Sequence, residues 1–245
     1  MEKDLIRIVN INGLLLEQIE NQTEQICIAA VRQNGYALQF AKDQTEEMCL
    51  IAVKHHGCAL EFVKDQTFEI CLEAIRQNGY ALKYVRYQTE ELCLEVIRDN
   101  AKLLQYVKDQ TRELCLEAVK RDGGALEHVK EQTEEICLVA VREFGLVLQY
   151  VQNQTEEICL EAVKQYGMSL KYVKEPTEEM CLEAIRQDSS YLKLVENQTE
   201  EMCIACIDAH GANSCLNQIR DLELRERMRS CSEGKRFLKT KSAKK

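Results

Sequence analysis

The dipeptide Gln-Thr returns every 22 residues, beginning at Gln22, Gln44, Gln66, Gln88, Gln110, Gln132, Gln154 and Gln198, with Pro176-Thr177 in the remaining place. A fixed period of this length, kept without insertion, constrains the fold more than any composition does. A unit of about 20–30 residues cannot bury its apolar face alone, so successive units must stack. Cys follows each Thr by four residues, from Cys27 and Cys49 to Cys181 and Cys203, which places nine of the 13 cysteines in one column. Residues 1–21 form a degenerate N-terminal unit, with Leu5, Ile6, Ile8, Val9, Gly13, Leu16 and Ile19 in the same apolar and Gly slots.

Inside a unit the apolar residues recur at spacings of three and four, as Ile158, Cys159, Ala162 and Val163 do before Gly167, and this spacing predicts helix. No alternation of period two supports strands. The predicted fold is therefore all-α, an α-solenoid of about ten stacked 22-residue helix-turn-helix repeats over residues 1–219, followed by a basic tail at 220–245. Thr155 with Glu156 and Glu157 signals one helix start, its acids suiting the positive helix pole; capping-box spacing, Asp43 with Glu46 and Asn153 with Glu156, favours another two residues earlier, at the Asp/Asn column, with Pro176 at the first helical position. Gly35, Gly57, Gly79, Gly123, Gly145, Gly167 and Gly211 are expected to close it in the left-handed conformation. About seven residues remain for a second helix, two turns at most and partly 3₁₀.

The segment Ala30-Val31-Arg32-Gln33-Asn34-Gly35-Tyr36-Ala37-Leu38, echoed at Ala74–Leu82, resembles a helical repeat family known mainly from giant DNA viruses of amoebae. That family is a domain of unknown function, its repeat often a few residues longer than this one. The resemblance covers roughly residues 1–219, carries no catalytic residues, and implies a viral protein made in a host cell.

The Cys column reads as small buried hydrophobes rather than a metal or redox ladder. Cys203, Cys206, His210 and Cys215 give C-x2-C-x3-H-x4-C, one residue short of a zinc-knuckle spacing, but Cys203 belongs to the column and Cys206 takes the slot of core Ala184. The sequence assigns no metal and no cofactor, with this cluster as the one zinc candidate. Paired glutamates such as Glu46-Glu47 recur in most units, and identical carboxylates lack the distinct environments that a catalytic acid and base require. His55-His56 has no evident partner and reads as surface. A non-enzymatic chain is expected.

Departures from the repeat are where specificity can reside. Phe68 and Arg112 replace the Glu that follows Thr, and Tyr87 replaces an Asp or Asn; stacking puts all three along one edge. Phe144 and Tyr166 replace Asn or Asp just before the stop glycine, on the opposite edge. Exposed aromatics with Arg are typical of binding hot spots, whereas the column Phe40, Phe62, Tyr84, Tyr106, Tyr150 and Tyr172 reads as core. Residues 220–245 are net +6, which leaves −15 for residues 1–219 of a chain at −9. Such a body repels phosphate backbones. The reading is a scaffold for an unknown protein partner; a virion or assembly component, and nucleic-acid contact through Lys239, Lys241, Lys244 and Lys245, are the alternatives. No apolar run suits a membrane span or a secretory signal, and an intracellular, cytoplasmic protein is expected, in the host cytoplasm or the virion if viral. On that reading the cysteines are reduced and the Asn21, Asn153 and Asn197 sequons are by-products of the repeat.

Overall fold

The computed structural model describes residues 1–242, with side chains through Ser232. Its α-helices are α1 (Glu2–Ile11), α2 (Glu24–Gln33), α3 (Glu46–His55), α4 (Phe68–Gln77), α5 (Glu90–Asp99), α6 (Arg112–Arg121), α7 (Glu134–Glu143), α8 (Glu156–Gln165), α9 (Glu178–Gln187), α10 (Glu200–His210), α11 (Ala212–Cys215) and α12 (Leu222–Ser242). Between them run six-residue 3₁₀ helices such as η1 (Gly13–Gln18), η2 (Gly35–Phe40) and η3 (Gly57–Phe62). The chain is thus all-α, a solenoid-like array of 22-residue units, each an α-helix followed by a 3₁₀ helix.

The array divides into two compact units, Met1–Arg121 with His128–Lys130, and Asp122–Glu127 with residue 131 onward. Within each, an α-helix packs on the α-helix of the next repeat and on 3₁₀ helices, and these pack on one another. The core lies between the two layers. In the third repeat it comprises Met48, Cys49, Ala52 and Val53 from α3 with Ala59 and Leu60 from η3, none more than 4% exposed. Full burial of a Leu such as Leu60 contributes about 1.5–3 kcal/mol, which a lone two-turn helix could not realise.

The helix start differs from the capping-box expectation. Thr is the N-cap in the regular repeats, α2 to α10: Thr45 has an extended backbone (φ −89°, ψ 157°) and its hydroxyl accepts from Met48 N at 3.4 Å. Asp43 and Asn153 stand two residues earlier, too far back to reach the first free amides, and Pro176 precedes the cap Thr177 instead of opening the helix.

The stop is also different. Asn34, in extended conformation (φ −149°), ends α2 and turns its Oδ1 onto Tyr36 N at 3.0 Å, capping η2. The glycines that follow are not left-handed; only Gly211 has a positive φ, 84°, among the described residues. They are required by close approach. A Cβ on Gly35 would lie 2.5 Å from the carbonyl oxygen of Ala52 in the next α-helix, and one on Gly145 2.5 Å from that of Ala162.

In the basic C-terminal segment α12 packs on α10 and buries Met228 to 1% exposure. The side chains of Phe237, Leu238, Lys239 and Lys241, and all of Lys244 and Lys245, lie outside the described residues. No helix of the described residues is long and apolar enough to cross a membrane.

Candidate functional site

The N-terminal ends of the α-helices form one edge of each compact unit, and carboxylates dominate it because they suit the positive pole of the helix. Glu46 and Glu47 occupy the first turn of α3, Glu90 and Glu91 that of α5. Three residues break this pattern in the first unit. Phe68 is the first residue of α4 and is 43% exposed; Tyr87, two residues before the cap Thr89, is 88% exposed. Arg112 opens α6 with a cation at the pole that disfavours one, and Glu113 lies 3.6 Å away. The structure therefore places Phe68, Tyr87 and Arg112 on the N-terminal edges of three successive repeats, as the sequence implies.

Phe144 and Tyr166 are on the other edge, in the second unit. Their slot normally holds a cap: Asn78 accepts from Tyr80 N at 3.0 Å, and Asp188 from Ser190 N at 2.7 Å, a bond that holds the Asp188 carboxyl below its usual range. Phe144 and Tyr166 supply no side-chain cap, which costs about 1 kcal/mol each, and are 47% and 39% exposed. The Tyr166 ring meets Tyr191 edge-on at 6.4 Å.

The four residues of the zinc candidate are engaged separately. Cys206 and Cys215 share a disulfide, and His210 Nε2 lies 2.7 Å from the carbonyl oxygen of Ile185, so Cys203 is left alone. Among the described residues no group of three His, Cys, Asp or Glu side chains is placed to hold a metal. The disulfide also corrects the expectation of a wholly reduced chain: Cys206 stands in an Ala slot of the helix, and the chain turns at Gly211 so that Cys215 meets it. The column thiols are buried, and burial pushes those of Cys49, Cys93 and Cys203 up to about 11, which keeps them protonated near neutrality.

His56 has a partner after all. Its Nδ1 accepts from Gly35 N at 3.3 Å and its ring lies 5.0 Å from that of Tyr36. The N–H groups of Gly13, Gly57, Gly145 and Gly167 each go to a Gln of the next repeat, Gly57 N to Gln77 Oε1 at 2.6 Å for one, and the repeat that offers His55 in that slot uses His56 instead. The aromatic column is half-buried rather than core, its rings lying along the 3₁₀ layer; Phe62 meets Tyr36 at 6.2 Å.

The sequence marks the Gln of Gln-Thr as the period but gives it no role. It is a four-way clamp. Gln44 Nε2 donates to Leu38 O at 3.2 Å and to Phe62 O at 2.9 Å, while its Oε1 accepts from Lys64 N at 2.9 Å and from the Cys49 thiol at 3.8 Å. One side chain thereby ties two repeats and orients the thiol. The regularity of Gln beside Cys five residues on was the available signal. Polar grooves beside this clamp, such as the one of about 470 Å³ lined by Gln22, Cys27, Lys42, Thr45 and Met48, have their amide already engaged.

Comparison with known families identifies the class. The DUF4116 family, a domain of unknown function, matches residues 45–88, 89–133, 111–156, 133–176 and 155–199. These matches span more than half of the chain, which therefore belongs to this family. Each covers two successive 22-residue units and begins on a cap Thr, so the family's unit is longer than the structural one because it contains two of them. No curated protein matches the chain, and no solved structure does either.

Proposed function

We propose that this DUF4116 protein is a non-enzymatic scaffold that holds a protein partner on the N-terminal edge of α4, α5 and α6. The observation that carries the proposal is the 88% exposure of Tyr87 and the 43% exposure of Phe68, in slots where other repeats carry Asp, Glu or Asn. A repeat array needs neither ring for stability, and local rules that fail at exposed positions are expected at sites of function. The paired carboxylates that might suggest catalysis are a dipole-complementing edge repeated from unit to unit. The resemblance to repeats of giant amoeba viruses makes a host-cell protein the first class of partner to test.

The test is affinity capture from lysate with wild-type protein beside a Phe68→Glu, Tyr87→Asp, Arg112→Glu variant that restores the repeat consensus. Loss of one specific partner supports the edge. Equal capture by both proteins rejects it, and then the edge of Phe144 and Tyr166, which forgoes two caps for two exposed rings, is the second surface to alter. Absence of any partner, with oligomers in sedimentation at micromolar concentration, favours an assembly component.

A further inference from the structure

We propose that the N-terminal edge of α4–α6 takes a Lys/Arg-rich protein segment anchored by an apolar side chain against Phe68 and Tyr87. This inference rests on the scaffold reading above and names its class of partner. Exposed Asp65, Glu69, Glu90, Glu91, Asp109 and Glu113 stand on the same edge, in the two repeats that carry the rings and in the one that follows. The nearby cations are fewer and engaged: Lys108 Nζ donates to Val85 O at 2.8 Å, Arg86 Nη2 to Val63 O at 2.9 Å, and Arg112 pairs with Glu113. The potential at the edge is negative, within a body of −15, so it attracts and orients a basic segment. The protein already shows this pairing once. Arg227 of the basic helix α12 forms an ion pair with Glu200, which stands in α10 where Phe68 stands in α4.

Charge alone would make a diffuse, register-free surface. The rings make it specific, since an apolar side chain packed on exposed aromatics is desolvated where a lysine is not. Arg112 sets a limit to the fit, because it repels a segment that is basic along its whole length.

The opposite signs of these two effects supply the test. A fluorescent twelve-residue peptide of Lys and Arg around a central Leu-Phe pair, and a control with Ala-Ala at the centre, are titrated by anisotropy into the full-length protein. The anchored peptide is expected to bind about five-fold more tightly than the control. Phe68→Glu with Tyr87→Asp adds two negative charges yet should abolish that five-fold preference, while Arg112→Glu should strengthen both peptides. A preference for the anchored peptide retained by the double variant, equal binding of the two peptides by wild type, or no binding of either would overturn the proposal. If the peptides fail while the lysate capture still loses a partner with the edge variant, the scaffold stands and the basic class falls. All three substitutions restore residue types found at the same slot in neighbouring repeats, and thermal unfolding of each variant confirms the fold.

Discussion

The junctions on either side of the last repeats are held differently. At Gln198 the side-chain amide donates to Leu192 O at 2.8 Å and Gln218 O at 3.0 Å and accepts from Arg220 N at 2.8 Å. One repeat earlier Pro176 stands in the slot and can make none of these bonds. The corresponding groups, Leu170 O, Leu194 O, Glu196 N and the Cys181 thiol, have no amide to meet there. Val173 is only half-buried at this junction, whereas Val63, Val85 and Val107 are at most 1% exposed. The same repeat carries Ser169, fully buried with its hydroxyl unpartnered, where other units have Ala37, Ala59, Ala81 or Ala125. Identical backbones can therefore differ in local stability through two side chains. In a stacked array the weakest interface sets where opening begins.

The sharpest way to break this comparison is to remove a clamp elsewhere. Gln88 donates to Leu82 O and Tyr106 O at 3.0 and 2.9 Å and accepts from Lys108 N at 2.8 Å. Gln88→Ala should lower stability in urea unfolding by about 2–4 kcal/mol, at about 0.5–1.5 kcal/mol per bond. A loss of a few tenths would mean that the Gln column is decoration and that Pro176 marks nothing.

Repair of the weak junction should act in the opposite direction and less strongly. Pro176→Gln restores the clamp but returns about 0.4–1 kcal/mol of unfolded-state entropy, so a net gain of about 1–2 kcal/mol is expected. Adding Ser169→Ala should contribute about 1 kcal/mol more by removing a buried unpaired hydroxyl. Native-state hydrogen exchange locates the gain: amides of residues 169–181 should be the least protected of the regular repeats in wild type and reach their neighbours' level in the double variant.

The smallest effect is on the thiols. Burial raises both Cys159 and Cys181, so neither is reactive in the closed protein at pH 8, and labelling reports opening. Brief iodoacetamide treatment followed by mass spectrometry should modify exposed Cys231 first and Cys181 first within the column, ahead of Cys159. Because the folded pKa is the raised one, the stability these thiols contribute is complete below their unfolded pKa and is lost as pH rises through the folded value. For Cys49, Cys93 and Cys203 that window runs from about 9 to about 11. A denaturation midpoint that holds from pH 9 to 11 would count against burial as the cause.

Much of the fold was legible because the period of 22 and the apolar slots at spacings of three and four act within a few residues of themselves. The edge residues were legible for the same reason, as breaks in a pattern; Phe68, Tyr87, Phe144 and Tyr166 are exposed where the repeat predicted an edge. What could not be read were contacts that cross from one repeat to the next. The glycines were assigned to a local turn, whereas the oxygen that excludes a Cβ from Gly35 belongs to Ala52. His56 looked unpartnered because its donor, Gly35 N, is 21 residues away.

By itself the sequence determined a period of 22, helices in place of strands, a Leu and Cys core, and an acidic body with a basic end, since each depends on local spacing or on composition. Only the tertiary structure decided that Thr and not Asp or Asn caps the α-helices of the regular repeats, that Gln clamps adjacent repeats, and that Cys206 bonds Cys215. The Thr cap is a local choice between two registers two residues apart, whereas the clamp and the disulfide join groups that only the packing of whole helices brings within bonding distance.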